Sequence, residues 1–360
     1  MKMKEIIRIG AALVSSAAVL AGCAKETTAP TNEAEKRYFD AWMHVNHPDL
    51  APTDHWVYIL KDTPGTGEDF ADGFIFVTYT ARDLSGNITA TTDSTMARLI
   101  NSYQPQNYYG PAVWNSTSMQ SGIYYGMEGM KTGGERSVII PGWLMTYSRY
   151  SSEEEYLANV TGSNAIYDIR FIDRADDITQ WQIDSMSRFV EKDRFSLFSE
   201  ISPSDTTEAG FYYEGQIFEN GVLSGYDVEK LDTDTTSTLF STDTTIYINY
   251  TGRLLNGQVF DTSKETVAKD YNIYSSSRTY EPVLITWSDS YSGLTMGSDN
   301  TTVTTGFAKT LWRMSCVKGV EKAVGLFYSD FGYGYSGSGN LIPAYAPLIF
   351  EIEFTENPEE

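Results

Sequence analysis

The chain has 360 residues, with 48 acidic against 26 basic side chains and a formal net charge of −22 at pH 7. So acidic a surface excludes functions that need basic patches to neutralise phosphates, so no nucleic-acid partner is expected. The length allows two domains with separate cores. Two cysteines, 25 tyrosines and 17 phenylalanines point to a sheet-rich protein with aromatic-lined grooves rather than a disulfide scaffold.

In chain order, residues 1–24 carry Lys2, Lys4 and Arg8, an apolar run from Ile9 to Leu20, and then Leu20-Ala21-Gly22-Cys23. A basic start, a short apolar core and small residues before a cut site predict a secretory signal rather than a spanning helix. Leu-Ala-Gly-Cys resembles the lipobox of bacterial lipoproteins, which implies that Cys23 is lipidated and anchors the protein to a membrane. Cys316 is then the one thiol left, in an apolar segment that predicts packing rather than reactivity. Residues 24–35, rich in Thr, Pro, Glu and Asn, read as a flexible tether. Glu35 to Val45 predicts a helix, and Trp56 to Leu60 a strand. His44, His47 and His55 cluster, but Pro48 breaks the local helix and no cysteine joins them, so a polar loop is expected and no metal.

Phe74 to Thr80 parallels the later run that ends at Tyr250-Thr251. Asp176 to Phe198 has apolar residues at helical spacing, and Gly210 to Glu214 predicts another strand. The run Leu231 to Thr245 reads as a solvated loop; its Asp-Thr-Thr triplets resemble the O-glycan acceptor motif of Bacteroidota, although triplets so short arise readily by chance. From Ile246 the alternation is strong: Ile246-Tyr247-Ile248-Asn249-Tyr250-Thr251-Gly252, then Asn256-Gly257, a strong hairpin-turn signal, and Phe260-Asp261-Thr262-Ser263. Phe307, Leu311 and Met314 share one helical face. Asp330-Phe331-Gly332-Tyr333-Gly334, Leu341-Ile342-Pro343-Ala344 and the strand Leu348–Phe354 close the stretch.

That order of YTG, NG, FDTS, VTTGF, FGYG, LIPA and LIFEIEF resembles the FKBP-type peptidyl-prolyl isomerase domain. The resemblance implies an α+β fold, an antiparallel sheet wrapped around one short helix. It also implies a pocket for a twisted X-Pro amide. Tyr250, Phe260, Val303, Thr304, Phe307, Leu341, Ile342 and Phe350 would bind substrate, with Phe307 as the floor. The Thr304 backbone N–H would hold a substrate carbonyl, Tyr333 would donate a hydrogen bond, and Asp261 would set the field at the reacting carbonyl. Such chemistry needs no nucleophile, metal or cofactor, and proline-containing polypeptides would be the partners of a monomer. Phe307, Thr304 and Ala344 depart from the family's usual tryptophan, isoleucine or valine, and second proline.

Earlier in the chain Gly122 to Lys131 resembles the family's helix and the turn after it, Glu135–Pro141 its following strand and Ile166–Phe171 its closing strand. The chain is therefore read as a tandem repeat with a weaker first copy. Its expected parts are a degenerate domain at 36–174, a linking helix at 175–200, and a second domain at 201–360 with a long insertion at 264–302. In the first copy Ser85-Gly86-Asn87 runs into Ile88-Thr89-Ala90-Thr91-Thr92 with no Phe-Asp pair. Ile123 stands for the helix aromatic and 151–155 for the Ile-Pro loop, which implies a lost pocket, with Asp93 the nearest substitute for the missing aspartate. Expected functions are a lipid-anchored folding catalyst of the cell envelope, on the periplasmic or outer face of the outer membrane, a non-catalytic chaperone on the same fold, or a surface lipoprotein capturing glycans or partners through exposed Trp287, Trp312 and tyrosines.

Overall fold

The computed structural model describes residues 31–192, 210–227 and 238–358. Cys23, the signal and residues 24–30 of the expected tether therefore lie outside the described residues, as do residues 231–237 of the loop expected at 231–245. Residues 31–35, expected as tether, instead open a helix. An entry helix, α1 (Thr31–Asn46), turns Phe39 and Met43, one turn apart, onto the first core. The strand expected at Trp56 starts instead at Tyr58, because Trp56 takes a left-handed φ of +60° that no strand accommodates.

Two antiparallel sheets follow. The first has the order β1 (Tyr58–Thr63), β5 (Glu135–Ile140), β6 (Ala165–Ala175), β2 (Phe74–Arg82), β3 (Ile88–Thr91), with β4 (Ala112–Asn115) also beside β2. The central part of the second has the order β7 (Phe211–Glu219), β14 (Val320–Phe327), β15 (Leu348–Thr355), β9 (Thr245–Leu254), flanked by β10 (Val259–Thr262) and β11 (Val283–Thr286). The two paths are the same topology traced twice. The second adds β8 (Val222–Asp227), β12 (Thr295–Met296) and β13 (Thr301–Thr302) at its edges. The stretch expected as an insertion thus has its own structure: a short helix, Glu265–Asp270, and the strands β11 to β13.

The registers of the two sheets correspond residue by residue. Thr80 faces Thr91 and Asp168; Thr251 faces Thr262 and Glu351. In both units the paired threonine hydroxyls bond across the ladder, at 2.9 Å and 3.0 Å. Arg82 pairs with Asp168 in the first unit as Arg253 pairs with Glu351, at 2.8 Å, in the second. Alternating burial fixes the ladder, since a slip by one residue would send every core side chain to solvent.

One short helix lies against each sheet. In the second unit it is Thr305–Met314, whose Phe307, Leu311 and Met314 are buried as their spacing predicted. Burial stabilises each such side chain by about 1.5–3 kcal/mol. The approach to β14 is close enough that a Cβ on Gly306 would sit 2.3 Å from the Phe327 ring. The helix also buries two cations. Lys309 lies 4.3 Å over the Phe331 ring, and Arg313 meets Asp227 of β8 through two bonds of 2.9 Å and 2.6 Å.

Between the sheets runs the linking helix Ile178–Lys192. Its Ile178 and Trp181 pack on Phe76 of the first unit, whereas Met186 and Val190 pack on Tyr212, Val324 and Ile349 of the second. The described part of the linking helix ends at Lys192, short of the Phe198 read from the sequence.

Trp287 and Trp312 correct the reading of them as exposed capture residues. They are 1% and 9% exposed and stack on each other at 5.5 Å inside the second core. Local sequence could not reveal this, because one ring follows β11 inside the expected insertion and the other lies on the helix after it. Cys316 is half-buried; burial pushes its thiol above the usual range, and its Sγ contacts the Trp312 carbonyl.

Candidate functional site

The β9–β10 hairpin builds the site. Asn256-Gly257 closes it, with Gly257 at φ +85° and the Leu254 N–H donating to the Gln258 carbonyl at 2.9 Å. Just past the turn, the register slips between Val259 and Asp261. This bulge inserts Phe260 as an unpaired residue and re-aims the side chains around it. Phe260 is buried against Phe350, 5.5 Å between ring centres, while Asp261 stays half-buried at the edge.

Phe350 from β15 is the hub of an aromatic box. Its ring meets Phe307 at 5.0 Å and 84°, and Tyr250 at 6.2 Å; Tyr250 and Phe307 are themselves 5.8 Å apart, edge to face. Such arrangements match positive ring edges to negative faces. Ile342, 3% exposed, joins the same cluster, with Val303 and Leu341 packed at its margin. Thr304 heads the helix, and its Oγ1 is buried without a hydrogen-bond partner among the described residues.

The polar side is a closed triangle. Tyr250 donates its hydroxyl hydrogen to Asp261 Oδ2 at 2.6 Å; Arg278 pairs with Asp261 Oδ1 and reaches the Tyr250 oxygen at 3.3 Å. Burial, then the Asp261 charge, hold the Tyr250 phenol well above its usual range, so it remains a donor. Tyr333, 39% exposed, sits on the rim; burial and the Asp261 charge raise it too. The geometry therefore brings the residues expected from the sequence into one cluster, with Tyr333 at its mouth; Cys23 lies outside the described residues. It also adds Arg278, which sequence reasoning missed. Nothing local marks an arginine in a Ser- and Tyr-rich segment as the partner of an aspartate on another strand.

The register of the first unit gives the counterpart of each residue. Tyr79 stands for Tyr250, Thr89 for Phe260, Ala90 for Asp261 and Tyr167 for Phe350. Asp93 is no substitute for the carboxylate: its Oδ1 caps the next helix, accepting from Thr95 and Met96 N–H at 2.6 Å and 3.0 Å. The segment in place of the Ile-Pro loop is a helix, Glu153–Asn159, capped by Ser152. The expectation of a lost pocket is corrected in part. A cavity of about 270 Å³ persists, lined by Tyr79, Trp114, Ile123, Tyr147 and Tyr167. Tyr79, Trp114 and Tyr167 pack partly buried against the first core, whereas Tyr147 is 70% exposed. Among the histidines, His55 bonds Glu128 at 2.8 Å and His47 packs on Trp42. Among the described residues no cluster of three or more His, Cys, Asp or Glu is placed to hold a metal.

Comparison with solved structures finds FkpA from Escherichia coli at 17% identity and TM-score 0.29, covering 49% of this chain and 75% of that one. A peptidyl-prolyl cis-trans isomerase from Pseudomonas syringae pv. tomato is 21% identical with TM-score 0.28, over 42% and 98%. The three FKBP domains of wheat FKBP73 are 13% identical with TM-score 0.24, over 83% and 94%. No curated protein matches the chain. The fold is α+β, and its FKBP-like part is the second unit. Residues 237–355 match the family model of the FKBP-type peptidyl-prolyl cis-trans isomerase, and that segment, which holds every described residue of the site, carries the family's pattern.

Proposed function

We propose that the protein is a lipid-anchored FKBP-type peptidyl-prolyl cis-trans isomerase that assists folding of exported proteins through its second unit, residues 201–360. The observation that carries this reading is the aromatic box closed by the Tyr250–Asp261–Arg278 triangle. Rotation about an X-Pro bond faces a barrier near ~20 kcal/mol, because the planar amide has partial double-bond character. Catalysis requires only that the twisted amide bind better than either planar form. Buried walls of Phe260, Phe307, Ile342 and Phe350 favour the less polar twisted amide. In this mechanism Asp261 sets the field at the carbonyl carbon, and Tyr333 donates to a substrate carbonyl. Cys23 would carry the lipid, the segment before the entry helix at Thr31 would hold the units off the membrane, and the degenerate first unit, residues 36–174, would act as a scaffold. The location is the cell envelope, at the outer membrane, and the protein would work as a monomer.

A second reading, a non-catalytic chaperone, draws on the cavity of the first unit, which keeps aromatic walls without a carboxylate. Exchange NMR on a short Leu-Pro peptide, with wild type, Asp261→Ala and Phe307→Ala, separates the two. Acceleration lost in both variants supports catalysis. Binding without acceleration by wild type supports the chaperone.

A further inference from the structure

Leu341 and Ile342, two walls of the box, belong to the connection between β14 and β15, which has little regular structure. Residues 334–347 are tied to themselves by four backbone bonds: Tyr345 N–H to the Gly334 carbonyl at 2.9 Å, Ser338 N–H to the Ile342 carbonyl at 2.8 Å, and the Leu341 and Ile342 N–H groups to the Ser338 carbonyl at 3.2 Å each. Gly337 takes φ +61°, and a Cβ there would lie 2.2 Å from the Ile342 oxygen. Gly334 and Gly339 are also left-handed. So glycine-rich a loop has much conformational entropy to lose when it is ordered.

The first unit grips this loop from outside the box. The Tyr108 backbone N–H donates to the Asn340 carbonyl at 2.7 Å, directly before Leu341. The Tyr108 ring packs against the second unit's core. Phe74 meets Tyr345 edge-on at 5.3 Å, on the other side of Ile342. The segment bearing Tyr108 is itself fixed to the β9–β10 hairpin, since Gln258 Nε2 donates to the Gln106 carbonyl at 3.0 Å. Behind these contacts, Phe76, Tyr108, Trp181, Leu254 and residues 343–347 line a mostly apolar cavity of about 270 Å³. One face of the loop thus makes the box and the opposite face makes the junction between units.

We propose that the first unit is a positioning clamp, in which Tyr108 and Phe74 hold the loop bearing Leu341 and Ile342 in the shape that receives a prolyl segment. The clamp rests on the substrate class proposed above. Its residues touch no substrate and act through the loop. The second unit borrows order from a neighbour that has lost its own carboxylate.

The test uses the whole protein with Tyr108→Ala, the conservative Tyr108→Phe, and Tyr345→Gly, which removes the ring at φ +59° without backbone strain. Hydrogen exchange of the amides in 336–346 should speed up by about tenfold or more in Tyr108→Ala and Tyr345→Gly, while β9 and β15 keep their protection. In peptide isomerisation KM should rise about tenfold with kcat within about twofold, the signature of a disordered binding wall. Tyr108→Phe should behave as wild type in both assays. Unchanged loop protection in both disrupting variants overturns the clamp, as does a mobile loop with unchanged KM. If wild type neither isomerises nor binds the peptide, the proposed function falls. The exchange data then still decide whether the first unit orders the loop. Should Tyr108→Ala fail to fold, Phe74→Ala, which removes the first unit's ring and leaves the loop's own residues intact, carries the decision.

Discussion

The two units share one ladder and differ at its working edge. Each has the Thr–Thr bond, the cross-strand Arg–carboxylate pair and a glycine at the second helical position beneath the sheet. Yet Phe260-Asp261 in one is Thr89-Ala90 in the other. The shared features are those the fold needs: they set register and allow helix and sheet to meet. The differing pair lies at the bulge: Phe260 fills the second core beside Phe350 and Asp261 meets Tyr250 and Arg278, whereas Thr89 and Ala90 are exposed.

That comparison can be strained where the units differ most. Arg313 and Asp227 form a buried ion pair that the first unit lacks on its helix, which ends at Met127. Arg313→Ala leaves Asp227 buried without its cation and should cost about 3–5 kcal/mol, read by urea unfolding of the second unit. Next comes the pocket. Asp261→Ala should slow peptide isomerisation by about a hundredfold, which is ~2.7 kcal/mol of transition-state binding. Ala90→Asp in the first unit is exposed and should change stability by less than about 0.5 kcal/mol. A large loss from Ala90→Asp would mean that the first unit's edge is under structural constraint after all.

Shared positions should respond alike. Gly306→Ala sets a Cβ 2.3 Å from Phe327, and Gly122→Ala sets one 2.2 Å from Ile140 Cγ2. Each should destabilise its unit by about 1–3 kcal/mol through overpacking, measurable as a fall in Tm. The smallest effect is electrostatic. Partial burial would raise Glu353, but Lys264 and Lys322, at 2.6 Å and 2.8 Å, outweigh it and hold the carboxyl below its ordinary value near 4.5. Its folded value is the depressed one, so this stabilisation is present above the ordinary value and fades as pH falls through the lowered one. It amounts to at most about 1 kcal/mol. Glu353→Gln should therefore lower stability at neutral pH by up to about 1 kcal/mol and leave it unchanged in acid, which flattens the acid limb of stability against pH.

Much was legible in the sequence because the signals are local. Alternation from Ile246 to Thr251 gave β9, Asn256-Gly257 gave the hairpin, and Phe307, Leu311 and Met314 gave the buried helix face. The ordered motifs also located the aromatic box, since its members lie on those same elements. What stayed hidden depends on segments far apart in the chain. Arg278 reaches Asp261 from the far side of a long connection, and Trp287 and Trp312 look like surface aromatics until the sheet closes over them. Tyr108 is anonymous in a Tyr-rich loop until the linking helix brings the two units together over residues 334–347. The chain's periodicity and turn residues determined which elements form and in what register, because those depend on neighbours along the backbone. The tertiary structure alone decided which charge faces Asp261 and which ring steadies Ile342, because those contacts exist only once the separately patterned sheets have packed.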